Sequence, residues 1–150
     1  MTTFASLLAM LARADVDFLV VGGLAVAQAG YVRYTEDVDL LVRSERDNVE
    51  RLIGALATVG DGAASELTPA DFPMEEGAVR VIEDVVVDVF TQMSGHTYED
   101  LLPLSDTHDV AGEAVRFLGA EGLIRLKAPS RRPKDQLDVD MLRRLRDDGV

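Results

Sequence analysis

Phe18-Leu19-Val20-Val21 is an apolar run of four residues that ends at Gly22-Gly23. A run that short, cut off by glycines, reads as a buried strand followed by a turn. Leu24 to Ala29 is rich in alanine and reads as a short helix, stopped by Gly30. A buried strand that feeds a helix through a glycine turn calls for a sheet with helices packed against it.

The rest of the chain extends that pattern. Phe4, Leu7, Leu8 and Leu11 recur at helical spacing, which predicts an amphipathic helix over residues 3–14. Asp37 to Val42 alternates polar and apolar residues like a strand. Ser44 with Asp47 resembles a capping box. Val49, Leu52, Ile53 and Leu56 then supply the apolar stripe of the next helix. Residues 60–77 hold glycines, prolines and polar residues, so they read as a loop with room for a helical turn. Ala78–Ile82 and Val85–Phe90 read as strands, joined as a hairpin by Glu83-Asp84. Val115–Leu118 is a further strand candidate. Glu121–Lys127 and Lys134–Arg146 read as helices around a break at Pro129–Pro133, the last with Leu137, Met141, Leu142 and Leu145 turned inward. The expected fold is α/β (α+β), a mixed sheet flanked by helices. It should form one domain over residues 1–150, with a basic helical segment over 120–148.

Composition narrows the function. The 150 residues are 47% hydrophobic and 28% charged, the balance of a soluble globular protein. No apolar run approaches the roughly 20 residues of a membrane helix. The start lacks a signal-peptide pattern, and there is no cysteine. The expected location is therefore cytoplasmic, with no membrane partner. The net charge of -12 argues against broad DNA or RNA binding. It leaves room for a small anionic ligand, because total charge says little about one site. The charge is also uneven. Residues 1–124 carry 22 acids and 7 bases, whereas residues 125–146 carry 8 bases and 3 acids. On its own such a segment reads as a solvated helix face.

Three features carry chemistry. Gly22-Gly23 lets backbone N–H groups approach a phosphate, or it is a plain tight turn. Asp37 and Asp39 lie two apart on a strand and share a face. At a separation near 4 Å and an effective dielectric near 20, two such carboxylates repel by about 4 kcal/mol. A hard cation such as Mg²⁺ removes that repulsion; the bland alternative is the wet face of an edge strand. Asp88 interrupts the apolar run Val85-Val86-Val87-Asp88-Val89-Phe90. A carboxylate there needs a cation, a donor or a metal if it is buried, and only water if that face is wet.

Together the three are more specific. Thirteen residues separate Gly23 from Asp37, and a single aspartate follows on a later apolar strand. The stretch V-G-G-L-A-V-A-Q-A-G-Y-V-R-Y-T-E-D-V-D-L-L-V, with V-V-V-D-V-F, resembles the nucleotidyltransferase superfamily that includes DNA polymerase β. The likeness is greatest to its small bacterial members, the minimal nucleotidyltransferases and the AbiEii-type toxin-like proteins. In the tail, L-I-R-L-K-A-P-S-R-R-P-K-D-Q-L-D is similar to the Lys…Arg-x-Lys-Asp…Asp segment of the AbiEii-like group.

The resemblance implies a polymerase β palm-like fold and a Mg²⁺-dependent enzyme. It would move a nucleoside monophosphate from an NTP to a hydroxyl and release pyrophosphate. Asp37, Asp39 and Asp88 would be the catalytic residues and would hold two Mg²⁺ ions, with Mn²⁺ as a substitute. Gly22 and Gly23 would cradle the triphosphate. Lys127 and Arg132 would neutralise its outer phosphates, with Arg131 and Lys134 as further candidates. Arg33 and Thr35 would add phosphate contacts. The acceptor would be a protein, an RNA or a small molecule, with a cognate toxin or antitoxin as a partner. Many members carry Gly-Ser at the turn, where Gly23 offers only a backbone N–H. The alternative is a non-catalytic, antitoxin-like member that binds a nucleotide or a partner. Tyr31 and Tyr34 are candidates for stacking on a base or for core and rim packing. His96 and His108 read as surface residues.

Overall fold

A computed structural model describes residues 2–32 and 34–148. Helix α1 (Phe4–Arg13) starts at a reciprocal capping box between Thr3 and Ser6, and it buries Leu7, Leu8, Ala9 and Leu11. Strand β1 (Phe18–Val21) is buried throughout, as its unbroken apolar run demands. Helix α2 (Gly22–Gln28) begins on the first glycine itself, two residues before the alanine-rich stretch. Strand β2 (Asp37–Val42) and helix α3 (Arg46–Leu56) follow.

The expected Ser44–Asp47 cap does not form. Glu45 takes the N-cap position without a side-chain hydrogen bond. Buried Asn48 organises the helix start instead. Its amide accepts from Asp17 N at 2.6 Å and donates to Asp17 O and Arg43 O at 3.0 and 2.9 Å. One side chain thereby ties the end of β2 to the start of β1, which a local cap would not do.

Residues 60–77 contain two short 3₁₀ turns, Ala63–Glu66 and Pro69–Asp71. Strands β3 (Ala78–Ile82) and β4 (Val86–Phe90) form the expected hairpin, with three connecting residues rather than two. Helix α4 (Tyr98–Leu101) and strand β5 (Ser105–Val110) were not apparent from periodicity. β5 pairs with β6 (Glu113–Leu118) across Ala111-Gly112, and both turn residues have positive φ, at 51° and 87°. That is the backbone a two-residue hairpin needs.

Helices α5 (Ala120–Lys127) and α6 (Pro133–Asp148) close the chain. α6 buries Asp138, Val139 and Leu142. Leu137, expected inside, is 52% exposed. The helix is turned so that Asp138 faces inward to an ion pair with Lys127, and Leu137 points away.

The six strands form one mixed sheet in the order β3-β4-β2-β1-β6-β5. β2 runs antiparallel to β1 and parallel to β4, so it is a central strand rather than the wet edge considered above. α1 packs on β6 and α3, while α2 packs on β1, β2 and α5. Leu41 shares the face of Asp37 and Asp39 yet is fully buried. That face is therefore open only at the N-terminal end of β2. No helix among the described residues is long and apolar enough to cross a membrane.

Candidate active site

Strand register brings the three aspartates together. β2 and β4 pair with Asp39 opposite Asp88, and Asp37 lies two residues earlier on the same face. A carboxylate oxygen from each of Asp37, Asp39 and Asp88 lies within 4.8 Å of the other two. Asp88 is only 7% exposed. Burial, and then the neighbouring Asp37 and Asp88, push the Asp39 carboxyl up to about 6, although Lys127 and Arg80 pull the other way. Three carboxylate oxygens this close to one another match the donor set of a hard divalent cation.

Arg80 on β3 completes the row. Its Nε donates to Asp88 Oδ1 and its Nη2 to Asp88 Oδ2, both at 2.8 Å, and Nη2 also reaches Asp37 Oδ2 at 3.2 Å. Asp88 holds Arg80 above its already high range. Sequence reasoning did not single out Arg80, and the reason is one residue. A turn of Glu83-Asp84 alone would set Ile82 opposite Val85 and Arg80 opposite Val87, on the apolar face. With Val85 included in the connection, Ile82 pairs with Val86 and Arg80 with Asp88.

The glycine turn stands beside this row. β1 pairs Val21 with Asp39, so Gly22 emerges next to that carboxylate. Gly22 has φ of +66°, and a Cβ there would overlap Asp39 Oδ2. A side chain is thus excluded twice. A Cβ at Gly23 would lie 2.7 Å from Thr35 Oγ1. The space that a residue-23 side chain would use is filled by the Thr35 hydroxyl, which donates to Asp37 O at 3.2 Å.

A cleft of about 650 Å³ opens over these groups; its lining includes Gly22, Gly23, Thr35, Asp37, Asp39 and Tyr34 on the sheet side. Lys127, Arg132 and Lys134 line the other wall, as do Ser130 and Asp135. Arg131 does not line it, and Arg33 lies outside the described residues. Tyr34 is 81% exposed at the rim, while Tyr31 packs against the core. His108 is remote, on β5 at the far end of the sheet, with its ring edge-on to Phe117.

Lys127 is held rather than free. Its Nζ lies 3.0 Å from Asp138 Oδ2 and 3.4 Å from Asp135 Oδ1, and its side chain is 15% exposed. Burial alone would raise the Asp135 carboxyl, but the Ser130 hydroxyl, donating at 2.6 Å, and Lys127 outweigh it and hold Asp135 below its ordinary value. Arg132 reaches Asp135 at 3.8 Å from an exposed position. Arg125 and Arg146 pair with Glu121, so that part of the basic segment is a solvated helix face.

Comparison with known proteins bears on this arrangement directly. The sequence model of a family described as "Nucleotidyl transferase of unknown function (DUF2204)" matches residues 1–150. The chain belongs to this family. Its fold is similar to a solved structure described as an antigenic nucleotidyltransferase-like protein from Paracoccidioides brasiliensis. That likeness has a TM-score of 0.55 at 19% sequence identity, over 92% of this chain and 74% of the other. No curated protein matches the sequence. The resemblance drawn from Gly22-Gly23, Asp37, Asp39 and Asp88 is thus confirmed at the level of the superfamily, as is the mixed α/β sheet with its flanking helices. Sequence reasoning had not assigned partners to Lys127, and it had not identified the cleft residues Phe90, Met93 and Ser94, which periodicity does not mark.

Proposed function

We propose that this chain is a metal-dependent nucleotidyltransferase that moves a nucleoside monophosphate from an NTP to a hydroxyl acceptor. The observation that carries the reading is the convergence of Asp37, Asp39 and Asp88, with Asp37, Asp39 and Gly22 lining one cleft. Asp37, Asp39 and Asp88 would hold Mg²⁺, with room in the donor chemistry for two ions or for Mn²⁺. When bound, such ions neutralise the carboxylates and stabilise charge on the attacking and leaving oxygens.

The chain's own residues do the rest. The backbone N–H groups of Gly22 and Gly23 face the triphosphate, and the Thr35 hydroxyl serves where a side chain at residue 23 has no space. Lys127 and Arg132 offset the charge of the outer phosphates, Arg132 with a fork suited to phosphate oxygens. Arg33 and Lys134 are assigned the same task. The acceptor oxygen bonds to the α-phosphorus, the bond to the bridging oxygen of pyrophosphate breaks, and Asp88 takes the acceptor's proton. The chain acts as one unit, with its basic segment as one wall of the cleft. The acceptor is a protein, an RNA or a small molecule, and a toxin–antitoxin partner fits the first of these.

The test is transfer of label from α-phosphate-labelled ATP, CTP, GTP and UTP in Mg²⁺ to candidate acceptors. Label should appear on one acceptor class and vanish in Asp37→Ala/Asp39→Ala. Nucleotide binding that is the same in that variant, with no labelled product, would overturn the reading. One observation favours a second reading, a non-catalytic binder: Arg80 already satisfies both oxygens of Asp88. Calorimetry separates the two, because the binder takes up nucleotide without releasing pyrophosphate.

A further inference from the structure

Arg80 and the carboxylates form an arrangement that the transfer reaction does not need. The guanidinium covers both oxygens of Asp88 and one of Asp37. Those are groups a divalent cation would bind. Two cations on the same oxygens repel each other, so occupancy by one disfavours the other, and the coupling is reciprocal.

The position of Arg80 suits a group that leaves. β3 is an edge strand with β4 as its sheet neighbour. The Arg80 side chain is 54% exposed, so it gives up little packing on turning outward. Val79 and Val81, on the opposite face, anchor the strand: Val81 is buried and Val79 packs against the core. The register that sets Arg80 opposite Asp88 is fixed by that burial, so the contact is built into the hairpin rather than being a passing surface encounter.

We propose that Arg80 is an internal counter-ion that latches the carboxylate cluster when metal is absent and must swing out when a divalent cation enters. The proposal rests on the reading of Asp37, Asp39 and Asp88 as a metal centre. It makes the metal-free chain self-inhibited: the apparent metal affinity is the intrinsic affinity multiplied by the fraction of molecules with Arg80 displaced. A fork with two charge-assisted hydrogen bonds keeps that fraction near one-tenth or below, so removing it should tighten metal binding about tenfold or more.

The experiment measures Mn²⁺ binding to the full chain without nucleotide, by calorimetry and by the electron paramagnetic resonance signal of free Mn²⁺. Arg80→Gln should bind about tenfold more tightly than the wild type. Arg80→Lys keeps the charge but loses the fork, so it should fall between them. In ¹⁵N NMR of the wild type, the Arg80 Nε–H should be protected from exchange in metal-free buffer and lose that protection as Mg²⁺ is added. Equal or weaker Mn²⁺ binding by Arg80→Gln, or an Nε–H signal unmoved at saturating Mg²⁺, overturns the proposal. If Arg80→Gln does not fold, Arg80→Lys and the NMR titration decide it. Asp39→Asn separates the two readings. Mn²⁺ binding that Asp39→Asn removes but Arg80→Gln leaves unchanged rejects the latch alone. No Mn²⁺ binding by wild type or Arg80→Gln at millimolar metal rejects the metal centre and the latch together.

Discussion

Two cations flank the same carboxylate cluster, and they are held in opposite ways. Lys127 sits between α5 and α6, 15% exposed, fixed by Asp135 and Asp138. Arg80 stands on an edge strand, 54% exposed, with its fork on Asp88. Both draw the Asp39 carboxyl downward against burial. The difference lies in what else depends on each. Lys127 joins two helices through buried Asp138 and half-buried Asp135, so its charge belongs to the fold as well as to the cleft. Among the described residues, the ion pairs of Arg80 are with the cluster alone. A charge that must stay is fenced in by the core, and a charge that must move is placed where solvent can receive it.

The sharpest way to break that comparison is to remove the fixed cation. Lys127→Met leaves the Asp138 carboxylate, whose side chain is 2% exposed, facing Asp135 without this ion pair. Taking one partner from a buried pair costs about 3 kcal/mol or more. Urea unfolding should show that loss, and Mg²⁺ should not restore it, because the damaged contact is between α5 and α6. Full recovery in Mg²⁺ would place Lys127 in the same class as Arg80.

The next effect is on Asp39, the carboxylate that both cations reach. Its folded value, about 6, stands above the ordinary 3.8, so ionisation is disfavoured in the fold. The sign follows by linkage. Below pH 4 the group is protonated in both states and takes nothing from stability. As pH rises from about 4 to about 6 the unfolded chain ionises first, and stability falls. Asp39→Asn should therefore be more stable than the wild type at pH 7 in EDTA, by about 2 kcal/mol after allowance for solvent screening. The gap should close near pH 4. The same gap at pH 4 and pH 7 would mean that charge is not its source. Mg²⁺ should reverse the order, stabilising the wild type and leaving the variant unmoved.

How far the site could be read beforehand follows from the same two regions. Asp37, Asp39, Asp88 and the glycine turn were legible because strand alternation reports which residues share a face, and a polar residue inside an apolar run marks itself. Arg80 was not, because a hairpin connection longer by Val85 alone decides whether it meets Asp88 or the core. The partners of Lys127 depend on how the break between α5 and α6 angles the last helix, which periodicity does not encode. For the same reason Leu137 was expected inside when Asp138 takes that place. β5 escaped notice because Ser105-Asp106-Thr107-His108-Asp109 is an edge strand with no apolar alternation. The start of α3 depends on Asn48 reaching Asp17, 31 residues away at the head of β1, and no local pattern records that contact.

The smallest expected effect bears most closely on the comparison. Arg80→Gln removes a cation from a half-exposed position, so water can enter beside Asp88 and offset part of the loss. In EDTA at pH 7 the variant should be less stable than the wild type, by a smaller margin than Lys127→Met. Saturating Mg²⁺ should erase that deficit, since a divalent ion supplies the charge that Arg80 gave up. Thermal melts of both variants, with and without Mg²⁺, put the two cations side by side. Rescue of Arg80→Gln without rescue of Lys127→Met is the pattern of one removable and one permanent charge. A deficit in Arg80→Gln that persists in Mg²⁺ would make Arg80 a fixture of the sheet edge, and the contrast between the two cations would collapse.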